Sequence, residues 1–193
     1  MRRAILLLGT PGVGKTRIGK ALAERLRARY IDISEYVVSS KLYTRYDRKT
    51  SSYVIDEAKL KRKLRRDTSD WEEAVIGGHV VFNIGAAEVV GLVLRLDPKQ
   101  LYRRLKRRNY SRRKAAENAA AEFIGTVYSD AVETLGRKRV KQLDCTGLTV
   151  RQATARCLSL LRGGKGQEVD WTRMDESELD ELLRIISSSG KIY

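Results

Sequence analysis

Near the start of the chain stand Gly9-Thr10-Pro11-Gly12-Val13-Gly14-Lys15-Thr16, a G-x-x-x-x-G-K-[ST] spacing. Residues of these types can hold a chain of phosphates. Glycines let backbone N–H groups converge on an anion, and the N-terminus of a following helix adds partial positive charge. A lysine at position 15 reaches the outer phosphates, and the hydroxyl of Thr16 can bind a Mg²⁺ bridging them. The alternative is a glycine-rich turn of an unrelated α/β protein. The Lys-Thr pair and the flanking pattern favour the phosphate site.

Such a loop needs a strand leading in and a helix leading away. Ala4 to Leu8 is a short apolar run closed by glycine, the mark of a buried strand. From Lys15 to Arg29, the residues Ile18, Ala21, Leu22 and Leu26 recur at helical spacing. Residues 30–33 read as a second strand, and Ser34 opens a helix to about Leu42. Residues 43–52 are polar without clear period and are expected to form a mobile loop over a ligand. Asp56 caps a helix to about Arg66, and residues 68–76 read as another helix. Gly77-Gly78 reads as a break, residues 79–83 as a third, central strand, and residues 92–96 as a fourth, ended by Asp97-Pro98. Helices are expected over 98–108, over 111–137 with Gly125 inside, and over 149–162, with a last strand over 140–144. This alternation predicts an α/β fold: a five-stranded parallel sheet, helices on both faces, and the ligand at the carboxyl ends of the strands.

The 193 residues suffice for one domain, assigned to 1–163, with an extension over 164–193. The hinge-like Gly163-Gly164-Lys165-Gly166 marks the break between the two. Val169-Asp170-Trp171 is expected to pack back on the core, and an acidic amphipathic helix follows. Its apolar stripe is Leu179, Leu182, Leu183 and Ile186. It is expected to pack on the core, to compete with RNA for a basic face, or to contact a basic protein. No apolar run is long enough to span a membrane, and Met1-Arg2-Arg3 with five apolar residues is too short for a secretory signal, so a cytoplasmic protein is expected. Cys145 and Cys157 show no metal or redox spacing and read as core residues.

Lys and Arg number 39 against 24 acids, a formal charge of +15. Such a surplus suits nucleotides, RNA or acidic protein surfaces, or else a solvated surface laced with ion pairs; composition alone does not separate these. From Lys99 to Lys114 there are nine basic residues and no acid. On a helix, Arg104 and Arg108 share one face and can clamp one phosphate chain, while Lys106, Arg112 and Arg113 read as a solvated face. Binding of an RNA backbone is a further reading of the segment.

The ordered set of motifs resembles nucleoside monophosphate kinases, most closely the ribosome-assembly adenylate kinase subfamily, the coilin-interacting nuclear ATPase-like type. The loop carries that subfamily's Thr10-Pro11 insert. Leu42-Tyr43, Tyr46-Asp47 and Ile55-Asp56-Glu57 match its monophosphate-binding region. Arg104-Leu105, Arg108-Asn109-Tyr110, Lys114, Glu117-Asn118 and Glu122 match its lid motif, and Val169-Asp170-Trp171 looks like the tail of archaeal members. The resemblance implies a P-loop NTPase of the nucleoside monophosphate kinase fold, with a monophosphate-binding segment near 32–55 and a lid near 107–117. It implies transfer of the terminal phosphate of ATP to AMP or another monophosphate with Mg²⁺, ATP hydrolysis, and a role in small-subunit and rRNA maturation beside a platform ribosomal protein. Gly12, Val13, Gly14, Lys15, Thr16 and Arg17 would bind ATP with Arg108 of the lid, and Lys15, Arg108 and Arg104 would be catalytic.

Three departures bear on that activity. Where the family has an Asp for Mg²⁺ and a nearby His, this chain has Phe82-Asn83-Ile84-Gly85, so Asn83 stands with Thr16 as the metal candidate. His79 reads as structural or exposed. Val37-Val38 occupies the place of an Arg for the monophosphate, and Arg17 replaces a small hydroxyl residue. A neutral amide is a poorer partner for a hydrated divalent cation than a carboxylate. A nucleotide-gated assembly chaperone or RNA binder with weak phosphoryl transfer is therefore a second expectation.

Overall fold

The computed structural model describes residues 1–47, 52–81 and 86–187. Its strands in chain order are β1 (Arg3–Leu8), β2 (Arg29–Asp32), β3 (Tyr43–Asp47), β4 (Ser52–Ile55), β5 (Glu73–Gly78), β6 (Glu88–Arg95) and β7 (Val140–Asp144). The helices are α1 (Lys15–Leu26), α2 (Ile33–Ser39), α3 (Glu57–Asp67), α4 (Pro98–Arg107), α5 (Arg112–Phe123), α6 (Thr126–Leu135), α7 (Val150–Leu161) and α8 (Glu176–Ser187). Five strands form a parallel sheet in the order β2-β5-β1-β6-β7, as expected for a doubly wound fold.

The apolar run of β1 is buried because both its faces are covered. Ile5 and Leu7 join Ile18 and Leu22 of α1, Leu101 and Leu105 of α4, and Ala153 and Cys157 of α7. The alternate residues Leu6 and Leu8 join Ile33 and Val37 of α2, Leu60 and Leu64 of α3, and Ala131 and Leu135 of α6. Each fully buried leucine removed from water contributes roughly 1.5–3 kcal/mol. With β1 central, the loop after Leu8 emerges at the middle of the sheet's carboxyl edge. Cys145 and Cys157 are free and buried, and burial pushes both thiols up to about 12, so they are core residues without nucleophilic character.

Several sequence expectations are corrected. Residues 68–76 are not a helix: α3 ends with Thr68 as its C-cap, and the third strand is β5, several residues before the expected 79–83. A short apolar run covered on both faces has no period-two signature, so periodicity cannot separate it from helix. Gly77 does not break the strand; a Cβ there would lie 2.5 Å from Tyr30 Oη, so this central position admits the tyrosine only without a side chain. The 43–52 stretch opens with β3, which pairs antiparallel with β4 (Ser52–Ile55) as a ribbon, with Tyr43 and Tyr46 packed on Tyr53 at 4.3 and 5.1 Å between ring centres. The expected 111–137 helix is two helices, because Gly125 adopts φ 73° and ends α5.

The break after α7 is not a free hinge either. Lys141 Nζ donates to Leu160 O at 2.7 Å and Gly164 O at 3.0 Å, and Gln167 N donates to Gln142 O at 3.0 Å, laying the chain along β7. Trp171 packs back as expected, 6.0 Å beneath the Arg95 guanidinium. On α8 the buried stripe narrows to Leu182 and Ile186, with Leu183 46% exposed. Glu178 and Glu181 pair with Lys99 at 3.0 and 3.2 Å, and Glu181 with Arg103 at 3.1 Å, so the acidic helix docks on the basic α4. Among the described residues no helix is long and apolar enough to cross a membrane.

Candidate nucleotide site

The loop from Gly9 to Gly14 turns on three glycines with positive φ, Gly9, Gly12 and Gly14. At Gly12 (φ 98°) a Cβ would approach Leu105 Cδ2 to 2.8 Å and Leu101 Cδ1 to 2.9 Å, so the loop lies directly on α4. Gly14 occupies the N-cap of α1 and brings no side-chain oxygen, which leaves first-turn N–H groups uncapped by a side chain. This is the arrangement that receives an anion at a helix N-terminus.

Lys15 Nζ donates to Gly9 O at 2.7 Å and Thr10 O at 3.1 Å. Burial lowers its pKa to about 8; the Asp32 and Glu122 carboxylates oppose that fall and the Arg108 guanidinium adds to it. Thr16 Oγ1 donates to Asp32 Oδ2 at 3.0 Å, and Thr10 Oγ1 donates to the buried Glu122 Oε2 at 2.5 Å. Glu122 also accepts from Arg95 Nε at 2.6 Å and Leu96 N at 3.2 Å.

The loop separates two hollows. A cavity of about 450 Å³ is lined by Val13, Gly14, Arg17, Ile18, Arg104 and Arg108, with Cys145, Leu148 and Thr149 from the far end of β7. A larger one of about 690 Å³ is lined by Thr10, Pro11, Lys15 and Thr16 together with Asp32, Gly77, Gly78, His79, Tyr110, Lys114 and Asp130. Lys15 and Thr16 face the larger cavity, and both expected arginines face the smaller.

The two arginines come together because α4 places residues 104 and 108 one turn apart, with Arg108 as the C-cap. The segment expected as a lid, 107–117, comprises the end of α4, a turn through Asn109 (φ 61°) and the first turns of α5, which is capped by Ser111. His79 lies just past β5, not within a strand. The residue is exposed at the cavity rim; partial desolvation there holds its pKa below the usual imidazole range, and the Lys15 and Lys114 charges add to this while Asp32 opposes it. Val37 is buried in the core and Val38 is 44% exposed. Asn83 lies outside the described residues, as do 48–51 of the expected monophosphate-binding segment.

A family profile described as an AAA domain matches residues 5–125. A protein of Saccharolobus islandicus named "Putative adenylate kinase" is 35% identical over 190 residues, 95% of this chain and 96% of its own length. The chain belongs to this adenylate kinase family. A second family member, with the same name in Methanocaldococcus jannaschii, is 33% identical over 170 residues, 87% of this chain and 92% of its own. Thymidylate kinase from Candida albicans superposes with TM-score 0.53 at 14% identity, covering 84% of this chain and 92% of that one, a likeness of fold.

An adenylate kinase-family site implies ATP and Mg²⁺, and the residues present fit both. The uncapped N–H groups of α1, Lys15, Arg104 and Arg108 could donate to a polyphosphate, and Thr16 Oγ1 is a hard oxygen beside a carboxylate that could face the ion. Bound Mg²⁺ would neutralise phosphate charge; the chain's part is to orient the phosphates and shield them from water. Sequence reasoning missed Asp32. Its signal was its place at the carboxyl end of a parallel strand immediately before a helix, where it caps α2 by accepting from Ser34 N and Glu35 N.

Proposed function

We propose that this chain is a Mg²⁺- and ATP-dependent nucleoside monophosphate kinase with ATPase activity, AMP being the acceptor, acting in small ribosomal subunit and rRNA maturation. The observation that carries the kinase reading is the pair of cavities on either side of the phosphate loop, with Lys15 in the wall of the larger and Arg104 and Arg108 in that of the smaller. A donor nucleoside fits the smaller cavity, between Arg104, Arg108 and the Leu148–Thr149 turn. Its phosphates run over the loop towards Lys15, and the acceptor enters the larger cavity. An acceptor phosphate oxygen attacks the terminal phosphorus of ATP and the bond to the bridging oxygen breaks, giving two nucleoside diphosphates. Lys15 and Arg108 neutralise charge on the transferred group, with Arg104 supporting the donor phosphates. Positioning and electrostatics suffice, and no protein nucleophile is required.

The ribosomal role, with a platform ribosomal protein and rRNA as partners, is supported by the subfamily motifs and the +15 charge. A coupled assay with ATP and AMP tests the catalytic reading: turnover is expected and collapses in Lys15→Ala. Full turnover in that variant overturns it.

A second reading, a nucleotide-gated assembly factor or RNA binder with weak transfer, draws on the larger cavity. Its described lining sets Asp32, Glu117 and Asp130 against Lys15 and Lys114, and neither Val37 nor Val38 is part of it. That field is a modest attractor for a monophosphate dianion. ATP-dependent capture of a platform ribosomal protein or rRNA fragment, with transfer near background, supports this reading; capture indifferent to ATP rejects it.

A further inference from the structure

We infer that Asp32 is the carboxylate that orients the metal of the metal–nucleotide complex, acting on it through Thr16 and through metal-bound water. This rests on the reading of the loop as an ATP site and assigns the metal's partner within it.

A hydroxyl can give a lone pair to a cation only if its proton points elsewhere, toward an acceptor. Thr16 has that acceptor: its Oγ1–H is directed to Asp32 Oδ2 at 3.0 Å. The hydroxyl lone pairs are thereby left for the cavity in which Lys15 and Thr16 sit. The carboxylate is itself held still. Its Oδ1 accepts from Ser34 N at 3.1 Å and Glu35 N at 3.4 Å, and Tyr30 Oη lies 3.4 Å from Oδ2. Fixed outer partners of this kind set how strongly an inner ligand holds its ion.

The place of Asp32 in the sheet gives the second argument. In the β2–β5 register Asp32 lies opposite Gly77, so its carboxylate stands at the sheet's carboxyl edge beside the end of β5, where Tyr30 fills the space that Gly77 leaves and brings its hydroxyl to Asp32. Among the cavity's acids, Asp32 is hydrogen-bonded to a residue of the phosphate loop's Lys-Thr pair, whereas Glu117 is paired with Arg113. Among the described residues there is no group of three or more His, Cys, Asp or Glu that could cage an ion. A single carboxylate beside a single hydroxyl is what Mg²⁺ uses when phosphates and waters complete its octahedron. The electrostatics agree: the Asp32 charge reaches Lys15, where it opposes the loss of the lysine proton.

Calorimetric titration of ATP in EDTA and in MgCl₂ tests this on the full chain, with Asp32→Asn as the variant. Asparagine caps helices about as well as aspartate, so α2 is retained. The wild type is expected to bind ATP in EDTA and more tightly with Mg²⁺. Asp32→Asn keeps the EDTA affinity and loses about tenfold or more of the Mg²⁺ enhancement. Water-proton relaxation of Mn²⁺ with ATP reads the same loss without turnover. Equal Mg²⁺ enhancement in the variant overturns the inference, and so does an equal loss with and without metal, which would make Asp32 a support of the loop alone. Absence of ATP binding by the wild type in both media is a different result, because it removes the nucleotide reading itself.

Discussion

Thr10 of the phosphate loop donates its hydroxyl proton to Glu122 on α5 across 2.5 Å, 112 residues apart in sequence and buried. The same carboxylate receives Arg95 Nε at 2.6 Å, Leu96 N at 3.2 Å and, from the C-terminal extension, Trp171 Nε1 at 3.4 Å. The loop, the end of β6, α5 and the tail therefore share one acceptor. Arg95 completes the node by donating to Gln142 Oε1 at 2.5 Å and Glu122 O at 2.6 Å. A buried charge pair with this many partners is costly to break from one side.

Glu122→Ala strands the Arg95 guanidinium in the interior and is expected to destabilise the chain by about 3–5 kcal/mol, read as a lowered urea midpoint. Thr10→Val leaves the ion pair intact and costs about 1–2 kcal/mol. It also frees the loop, so ATP affinity falls more than stability does. An unchanged midpoint for Glu122→Ala contradicts this account of the node.

Lys15 gives a pH prediction with a definite sign. Its pKa in the nucleotide-free chain is about 8, below the usual 10.5 for lysine. Bound triphosphate charge favours the ammonium and raises that value. Near and above pH 8, ATP binding is then accompanied by proton uptake, which vanishes well below pH 8, where Lys15 is already charged. Calorimetry in buffers of differing ionisation enthalpy measures it, and Lys15→Met abolishes it. Because the folded value lies below the unfolded one, stability without nucleotide also rises between pH 8 and 10.5 on this group's account.

Arg104 and Arg108 line the smaller cavity together. Charge-assisted hydrogen bonds to phosphate are worth about 1.5–3 kcal/mol. Arg108→Ala should weaken ATP or lower kcat by roughly ten- to a hundredfold, and Arg104→Ala should weaken ATP less. Arg108→Lys recovers only part, since a point charge cannot reproduce the planar fork. Full activity in Arg108→Lys would show that charge alone is required.

The docking of α8 separates apolar from ionic contributions. Leu182 is fully buried, so Leu182→Ala is expected to cost about 2–5 kcal/mol. The Glu178 and Glu181 carboxylates are half-exposed, and glutamine keeps an acceptor for the largely covered Lys99, so replacing both acids costs at most about 1 kcal/mol. That double variant uncovers Lys99 and Arg103 and is expected to elute from heparin at higher salt than the wild type. Identical elution would show that α8 does not mask a polyanion-binding face.

The order of residues alone determined the phosphate loop, the five-stranded alternation, the helix carrying Arg104 and Arg108, and the return of Trp171 to the core. The first three rest on near neighbours in the chain, where type and spacing carry the physics; Trp171 was legible as a large apolar side chain in need of cover, and its partners Arg95 and Glu122 came from the tertiary structure. Tertiary structure decided what depends on residues far apart. Glu73–Gly78 became a strand because β1 and β2 pair with it along both edges while helices cover its faces, and Gly77 stayed within it because Tyr30 needs the space. Asp32 joined the site because parallel pairing sets the end of β2 beside α1, where Thr16 meets it. Glu122 reached Thr10 because α5 folds across the sheet's carboxyl edge. Local pattern carries no record of such distances; they are settled when both faces of the sheet are buried at once.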